Sequence, residues 1–413
     1  MGSTVPDVLL YNPMETAWIS ADALILDINK MEDQPNGKRI NTIDKVYSDA
    51  INDLTNARIE FLVGDRYYLK QMKIKKGKLV LGSFIFRTII LPHVDILTLD
   101  VAKKIVDFAK AGGRVYSLGE LPMASADNGM NDLKMKKLMD ALKATATFTA
   151  CPENLGSEIA KRAAGLESTV RFSSGAFPML QQHRRIDGKD FFWLVNNGDQ
   201  KQECEVNIGG VLGAASIWNC ENGEIRPISS NNITNGSNVR LTFKPLEAYW
   251  LVFDPDAPVN TVSEKPEGKI LMTVSGAWKV IYDPAIQPTM EFPSTPPEEF
   301  IAGVEKPLEN WNAWGLQKFS GLLEYSKTIN IEKREEQMFL DLGKVCHIAE
   351  VWINGQSLGA KMWGPHVFDI SGIVKPGQNE IRVRIGNLIN NSYGDIQDSG
   401  LIGPVQITGI DKQ

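Results

Sequence analysis

Three pairs of neighbouring carboxylates, Glu298-Glu299, Glu335-Glu336 and Asp395 with Asp398, are the side chains of this sequence best placed to act together on one bond. Two carboxyl groups held ~5 to 10 Å apart, one as acid and one as base or nucleophile, hydrolyse an acetal. Adjacent glutamates on a strand point to opposite faces, and in loops they are solvated, so the first two pairs read as surface charge. Asp395 and Asp398 share a loop with glycine and serine and could receive a hydroxyl or a cation. Calcium is left open there, although the Asp-x-Asp spacing of a calcium loop is missing. The four cysteines, Cys151, Cys204, Cys220 and Cys346, are far apart, with no histidine at ligand spacing, so no metal site is assigned and no disulfide framework can be read.

A second chemistry would be nucleophilic. Val115-Tyr116-Ser117-Leu118-Gly119 is half of a nucleophile elbow, but valine stands where the first glycine of G-x-S-x-G relieves crowding. His93 ends another strand pattern and would meet Ser117 if the strand ends converge. Single serines and histidines at strand ends are far more often structural, and that reading is preferred.

The elements that must position these residues fall into three regions. Val8 to Tyr11, Ile59 to Val63, Thr88 to Pro92 and Arg114 to Leu118 read as strands, and Thr42 to Ala57 and Leu99 to Ala111 as helices. The Thr88 run is apolar on both faces, as buried parallel strands are. The second helix stops at Gly112-Gly113. A doubly wound α/β layer of the flavodoxin or class I amidotransferase kind is expected over 4–165, without a catalytic triad, since no cysteine stands at the elbow. Lys70 to Lys78 reads as a hairpin with a solvated lysine turn. Period-two patterns at Glu203 to Ile208, Arg240 to Phe243 and Ala248 to Phe253, with Phe191 to Val195 before them, predict a small antiparallel sandwich over 166–258. Asp254-Pro255-Asp256-Ala257-Pro258 reads as a linker. In 259–413, Glu380 to Ile385 turns its apolar side chains one way and its charged ones the other. Met338, Leu340 and Leu342 repeat this, as do Ala349, Val351 and Ile353, and Asn354-Gly355 supplies a hairpin turn. Strands with one face to bury and no helix to cover it stack into a jelly roll.

Length and charge narrow the class. The 413 residues exceed one compact core, so a multidomain chain of α/β and all-β parts is expected. Net charge is −6 with scattered basic residues, which argues against nucleic acid. No apolar run approaches the ~20 residues that span a bilayer. Met1-Gly2-Ser3 reads as a cloning remnant, and the natural start, with any export signal, is expected to precede it.

Val351-Trp352-Ile353-Asn354-Gly355, Leu358-Gly359, Pro365, Phe368-Asp369-Ile370 and Gly377 to Ile381, with Phe319-Ser320-Gly321 and Tyr325 upstream, resemble the galactose-binding-like domain of family 2 glycoside hydrolases. Gly386 to Asn390, Gly394-Asp395 and Ser399 to Val405 are similar to the bacterial α-L-rhamnosidases of glycoside hydrolase family 106. Arg184 to Asp187, Phe192 to Asn197 and the Leu91 to Gly119 segment resemble the domains that precede it there. The resemblance implies a periplasmic or secreted parent acting on a plant-type or host glycan. It also implies acid and base carboxylates in an upstream (β/α)8 barrel. A barrel needs ~250 residues of its own, and the α/β region is too short, so no position is assigned as catalytic. The chain is expected to be a non-catalytic C-terminal region of such an enzyme, supporting the barrel and binding carbohydrate. A free-standing serine esterase built on Ser117 is the alternative.

Sugar binding asks for an exposed ring against the C–H face of a pyranose, with amides or carboxylates beside it. Trp311 and Trp314 lie in a polar stretch that favours partial exposure. Trp352 is on the polar side of its strand with Glu350, Trp363 precedes Gly364-Pro365-His366 in a loop, and Tyr393 neighbours Asp395. These residues, with His366 as a loop hydrogen-bond partner, are the candidate carbohydrate contacts.

Overall fold

The computed structural model describes residues 2–20, 37–151, 169–172, 179–259, 268–288 and 295–410. The junction expected at 165–166 lies outside the described residues. The chain divides into two compact units, one holding a parallel sheet and a small sandwich, the other a jelly roll from 264 onward.

In the first unit, β1 (Val8–Tyr11), β2 (Phe61–Gly64), β3 (Thr88–Pro92), β4 (Arg114–Leu118) and β5 (Phe148–Cys151) form a parallel sheet in the order β2-β1-β3-β4-β5. Three helices, α1 (Gly37–Asn56), α2 (Leu99–Lys110) and α3 (Leu133–Lys143), cover it. Leu9, Ile89, Leu91 and Val115 pack with Val101, Ile105 and Phe108 of α2 and with Met135 and Met139 of α3. The alternate residues Val8, Leu10, Ile90 and Tyr116 pack with Val46, Ala50 and Leu54 of α1. Both faces are buried, which is why β1 and β3 read as unbroken apolar runs. Helix α2 stops where expected: Gly112 takes φ 98°, and a Cβ on Gly113 would come within 2.1 Å of the Phe108 ring. The lysine hairpin is also present, between strands Lys73–Lys75 and Lys78–Leu81, its Lys76-Gly77 turn at φ 48° and 69°.

The sandwich follows from β6 (Met179–Ile186), β7 (Lys189–Asn196), β8 (Gln202–Gly209), β9 (Ala214–Trp218), β10 (Gly236–Phe243) and β11 (Ala248–Asp254). One sheet runs Ser3–Thr4, β6, β7, β11, β9, Ile225–Ile228; the other runs Val170–Phe172, β8, β10, Ser230–Ile233. Phe192, Leu194, Leu251 and Phe253 of the first close on Val206, Ile208, Val239, Leu241 and Phe243 of the second. The two halves of this unit are joined at β6, where the Gln181 amide donates to the Arg58 carbonyl at 3.0 Å and to Glu60 Oε1 at 3.2 Å. Burial there pushes the Glu60 carboxyl up from 4.5 to about 7, against the opposing pull of Gln181 and the His183 backbone.

The second unit contains β12 (Trp278–Ile281), β13 (Leu322–Ile331), β14 (Gln337–Asp341), β15 (Ile348–Ile353), β16 (Gln356–Lys361), β17 (Val367–Asp369), β18 (Gly377–Gly386) and β19 (Gln406–Ile410). The larger sheet runs Val304–Lys306, β12, β13, β18, β15, β16, and the smaller Lys269–Thr273, β19, β14, β17. Leu323, Tyr325, Val351, Ile353, Ile381, Val383 and Ile385 point inward to meet Met338, Leu340, Phe368 and Ile407. Each such aliphatic chain removed from water contributes ~1.5 to 3 kcal/mol. The β15–β16 turn is Asn354-Gly355 at φ 52° and 82°, the type I′ pair that matches strand twist. Helical turns do cover part of this unit, contrary to the all-strand expectation: Glu298–Ala302 buries Phe300, and Trp311–Trp314 is a 3-10 turn.

Candidate functional site

The carboxylate pairs are placed as follows. Glu298 and Glu299 lie in the first turn of a short helix, with Glu299 3.1 Å from Lys306 Nζ. Glu335 sits 3.8 Å from Lys333 and 3.9 Å from Lys269. Asp398 accepts from Lys344 Nζ at 3.0 Å and Asn310 Nδ2 at 2.6 Å, and the Lys344 bond holds its carboxyl below the usual range. Asp395 is exposed to solvent. Among the described residues no group of three or more His, Cys, Asp or Glu could hold a metal ion.

Ser117 is inside β4 and 1% exposed, with its hydroxyl 3.4 Å from the Gly119 carbonyl. The left-handed turn belongs to Gly119 (φ 81°), two residues later, whereas an elbow puts the serine itself in the turn. His93 has φ 44° and its Nε2 lies 3.7 Å from Asp95.

The aromatic candidates separate by burial. Trp311 corrects the sequence reading: it is fully buried, and its indole Nε1 donates to Tyr325 Oη at 2.5 Å. The polar neighbours misled because the segment is a 3-10 turn, in which residues three apart eclipse. Trp311 and Trp314 therefore face the same way, toward the core, while Ala313 is exposed and the partly buried Asn312 donates to the Gln397 carbonyl at 3.3 Å. Trp314 is half-buried and donates to Glu309 Oε1 at 2.6 Å. His366 is likewise buried at 3% exposure, with Nε2 3.0 Å from the His347 carbonyl. By contrast, Trp363 and Tyr393 are 58% and 56% exposed on their loops. Trp352 lies on the outer face as expected, half-buried, beneath the guanidinium groups of Arg382 and Arg384 at 4.2 and 4.8 Å from its ring centre.

The loop that carries Tyr393 and Asp395 is held by amides that the sequence reading did not single out. Asn387 Nδ2 donates to the Phe319 carbonyl at 2.7 Å and to Ser399 Oγ at 3.0 Å. Asn391, buried, donates to the Gln397 carbonyl at 2.9 Å and to Ser399 Oγ at 3.1 Å. These bonds satisfy a loop backbone that has no ladder of its own. The density of asparagine in Asn387, Asn390 and Asn391 was the available signal, since this side chain bonds readily to loop backbone. The loops present to solvent two exposed rings, Trp363 and Tyr393, and the exposed Asp395 carboxylate.

Residues 41–232 match the family model for alpha-L-rhamnosidase. Residues 289–401 match that of the glycosyl hydrolase 2 galactose-binding domain-like family. Two proteins of Formosa agariphila, each named "Putative beta-glucuronidase", are 36% identical over 91 residues (20% of this chain) and 30% identical over 115 residues (27% of this chain). The matched stretches span 8% and 11% of those relatives. A solved structure of a rhamnosidase from Novosphingobium sp. PP1Y aligns with 99% of this chain and 39% of its own, with 20% identity and a TM-score of 0.61, a likeness of fold. The chain therefore carries an alpha-L-rhamnosidase-family region followed by a galactose-binding-like domain of the glycosyl hydrolase 2 kind.

Proposed function

We propose that the chain is a non-hydrolytic accessory region of a rhamnosidase-like glycoside hydrolase, supporting an upstream catalytic barrel and holding carbohydrate on the loops of its jelly roll. The observation that carries this reading is coverage: nearly the whole chain aligns with 39% of one rhamnosidase structure. The carboxylate placements agree with it. Asp398 is committed to Lys344 and Asn310, and Glu299 to Lys306, so neither is poised to give or take a proton across a glycosidic bond.

In this reading Trp363 and Tyr393 stack on sugar rings and Asp395 accepts from hydroxyls, while Trp311 and His366 hold the framework. The parallel sheet, with its 2-1-3-4-5 order and helices on both faces, serves as a flavodoxin- or amidotransferase-like spacer without a triad. Three domains, over 4–165, 166–258 and 259–413, and a periplasmic or secreted parent acting on a plant-type or host glycan, complete the proposal. The test is hydrolysis of an aryl α-L-rhamnoside by this chain alone. No turnover above the uncatalysed rate is expected; hydrolysis of an aryl ester by the same chain, abolished by Ser117→Ala, would instead install the esterase-like alternative.

A further inference from the structure

A row of outward side chains crosses all six strands of the larger jelly-roll sheet. In register, it reads Glu305, Lys279, Ser326, Arg382, Trp352 and Ser357. At strand spacings of about 4.8 Å the row is ~24 Å long, the length of a short oligosaccharide and not of one ring. One end opens into a groove of about 280 Å³ whose lining includes Lys279, Glu305, Ser326, Thr328 and Glu380. One strand in from the other end, and ~19 Å from Glu305, stands Trp352, still partly open to solvent.

This face is built to stay still. Arg384 donates to Glu350 at 3.0 Å and to Glu324 at 3.3 Å, and Arg382 lies 3.6 Å from Glu324. Both guanidinium groups lie against the Trp352 ring. The ring is therefore fixed before any ligand arrives, so a sugar placed against the part of it that the guanidinium groups leave open loses little ordering entropy. Four cations (Lys279, Arg382 and Arg384 on the outward positions and Lys327 in the groove lining) stand among four carboxylates (Glu305, Glu324, Glu350, Glu380). The face carries no excess positive charge to hold a polyanion, whereas hydroxyl groups find donors and acceptors alternating along the row.

We infer that the outer face of this sheet is a second carbohydrate platform, distinct from the loops, which takes a neutral linear oligosaccharide lengthwise from Trp352 to the Lys279 groove. It extends the proposed carbohydrate-binding role to a separate surface and can fail without it. The experiment titrates the whole chain with mannohexaose, xylohexaose and hexagalacturonate, following the Trp352 indole N–H signal by NMR together with binding heats. A neutral hexasaccharide should shift that signal, and Trp352→Ala should weaken binding about tenfold. Ser326→Gln fills the groove from an outward position, leaves the core untouched, and should weaken it severalfold if Trp352→Ala does not fold. In Trp363→Ala and Tyr393→Ala the neutral hexasaccharide should still shift the Trp352 signal. An unshifted Trp352 signal with every sugar overturns the platform, as does loss of all binding in the loop variants alone. Hexagalacturonate binding here as tightly as the neutral sugars overturns the assigned ligand.

Discussion

The indole of Trp311 and the hydroxyl of Tyr325 meet at 2.5 Å inside the jelly-roll core, and the same hydroxyl lies 3.5 Å from the Leu401 backbone N–H. One oxygen thus ties β13 to the Trp311 turn and to strand Gly400–Gly403. Gly400, at φ 105°, makes room for the arrangement, since a Cβ there would sit 2.5 Å from the Trp311 ring. Tyr325→Phe leaves both donors without this acceptor in the buried core, and a loss of about 1 to 3 kcal/mol is expected in urea denaturation. Sugar binding by the folded variant should be unchanged. A loss below a few tenths of a kcal/mol would show that the bond is not formed.

Glu60 gives the first unit a pH dependence. Burial raises its folded-state carboxyl from 4.5 to about 7, so the folded chain holds a proton there that the unfolded chain has released. The resulting penalty is absent below about pH 4.5, grows as pH rises, and is complete above about pH 7. Glu60→Gln removes the charge while keeping the shape. It should match the parent protein at pH 4.5 and exceed it by up to a few kcal/mol at pH 8, measured by denaturant midpoints at both. A difference independent of pH would assign the change to packing.

Arg384 separates two carboxylates that face it from neighbouring strands, Glu324 and Glu350. Arg384→Met keeps the stem over Trp352 and removes the cation, leaving the acids to repel across the sheet. A cost of about 1 to 2 kcal/mol is expected at pH 7. It should shrink in concentrated salt, which screens the repulsion between the two acids. An equal cost at low and high salt would point to lost packing instead.

Much of the jelly roll was legible because its signals are local. Glu380 to Ile385 alternates at period two, and Asn354-Gly355 carries the turn chemistry that fixes a hairpin register. The polar placement of Trp352 followed from the same alternation, but its partners did not: Arg382 and Arg384 reach it through strand pairing set by the whole sheet. Trp311 was misjudged because its burial depends on the eclipsed geometry of a 3-10 turn and on space left by a distant glycine. Glu60 gave no sign in sequence, since the amide that faces it lies 121 positions away. Polarity of neighbours predicts exposure only where the local backbone period is already known.

In the proposed function this chain holds carbohydrate without cleaving it. The decisive experiment is calorimetric titration of the intact chain with rhamnose- and galactose-containing oligosaccharides, with the same mixtures assayed for released reducing ends. Saturable binding, weakened about tenfold by Trp363→Ala or Tyr393→Ala and accompanied by no product, is the expected result. A flat titration, or product accumulating with time, would contradict it.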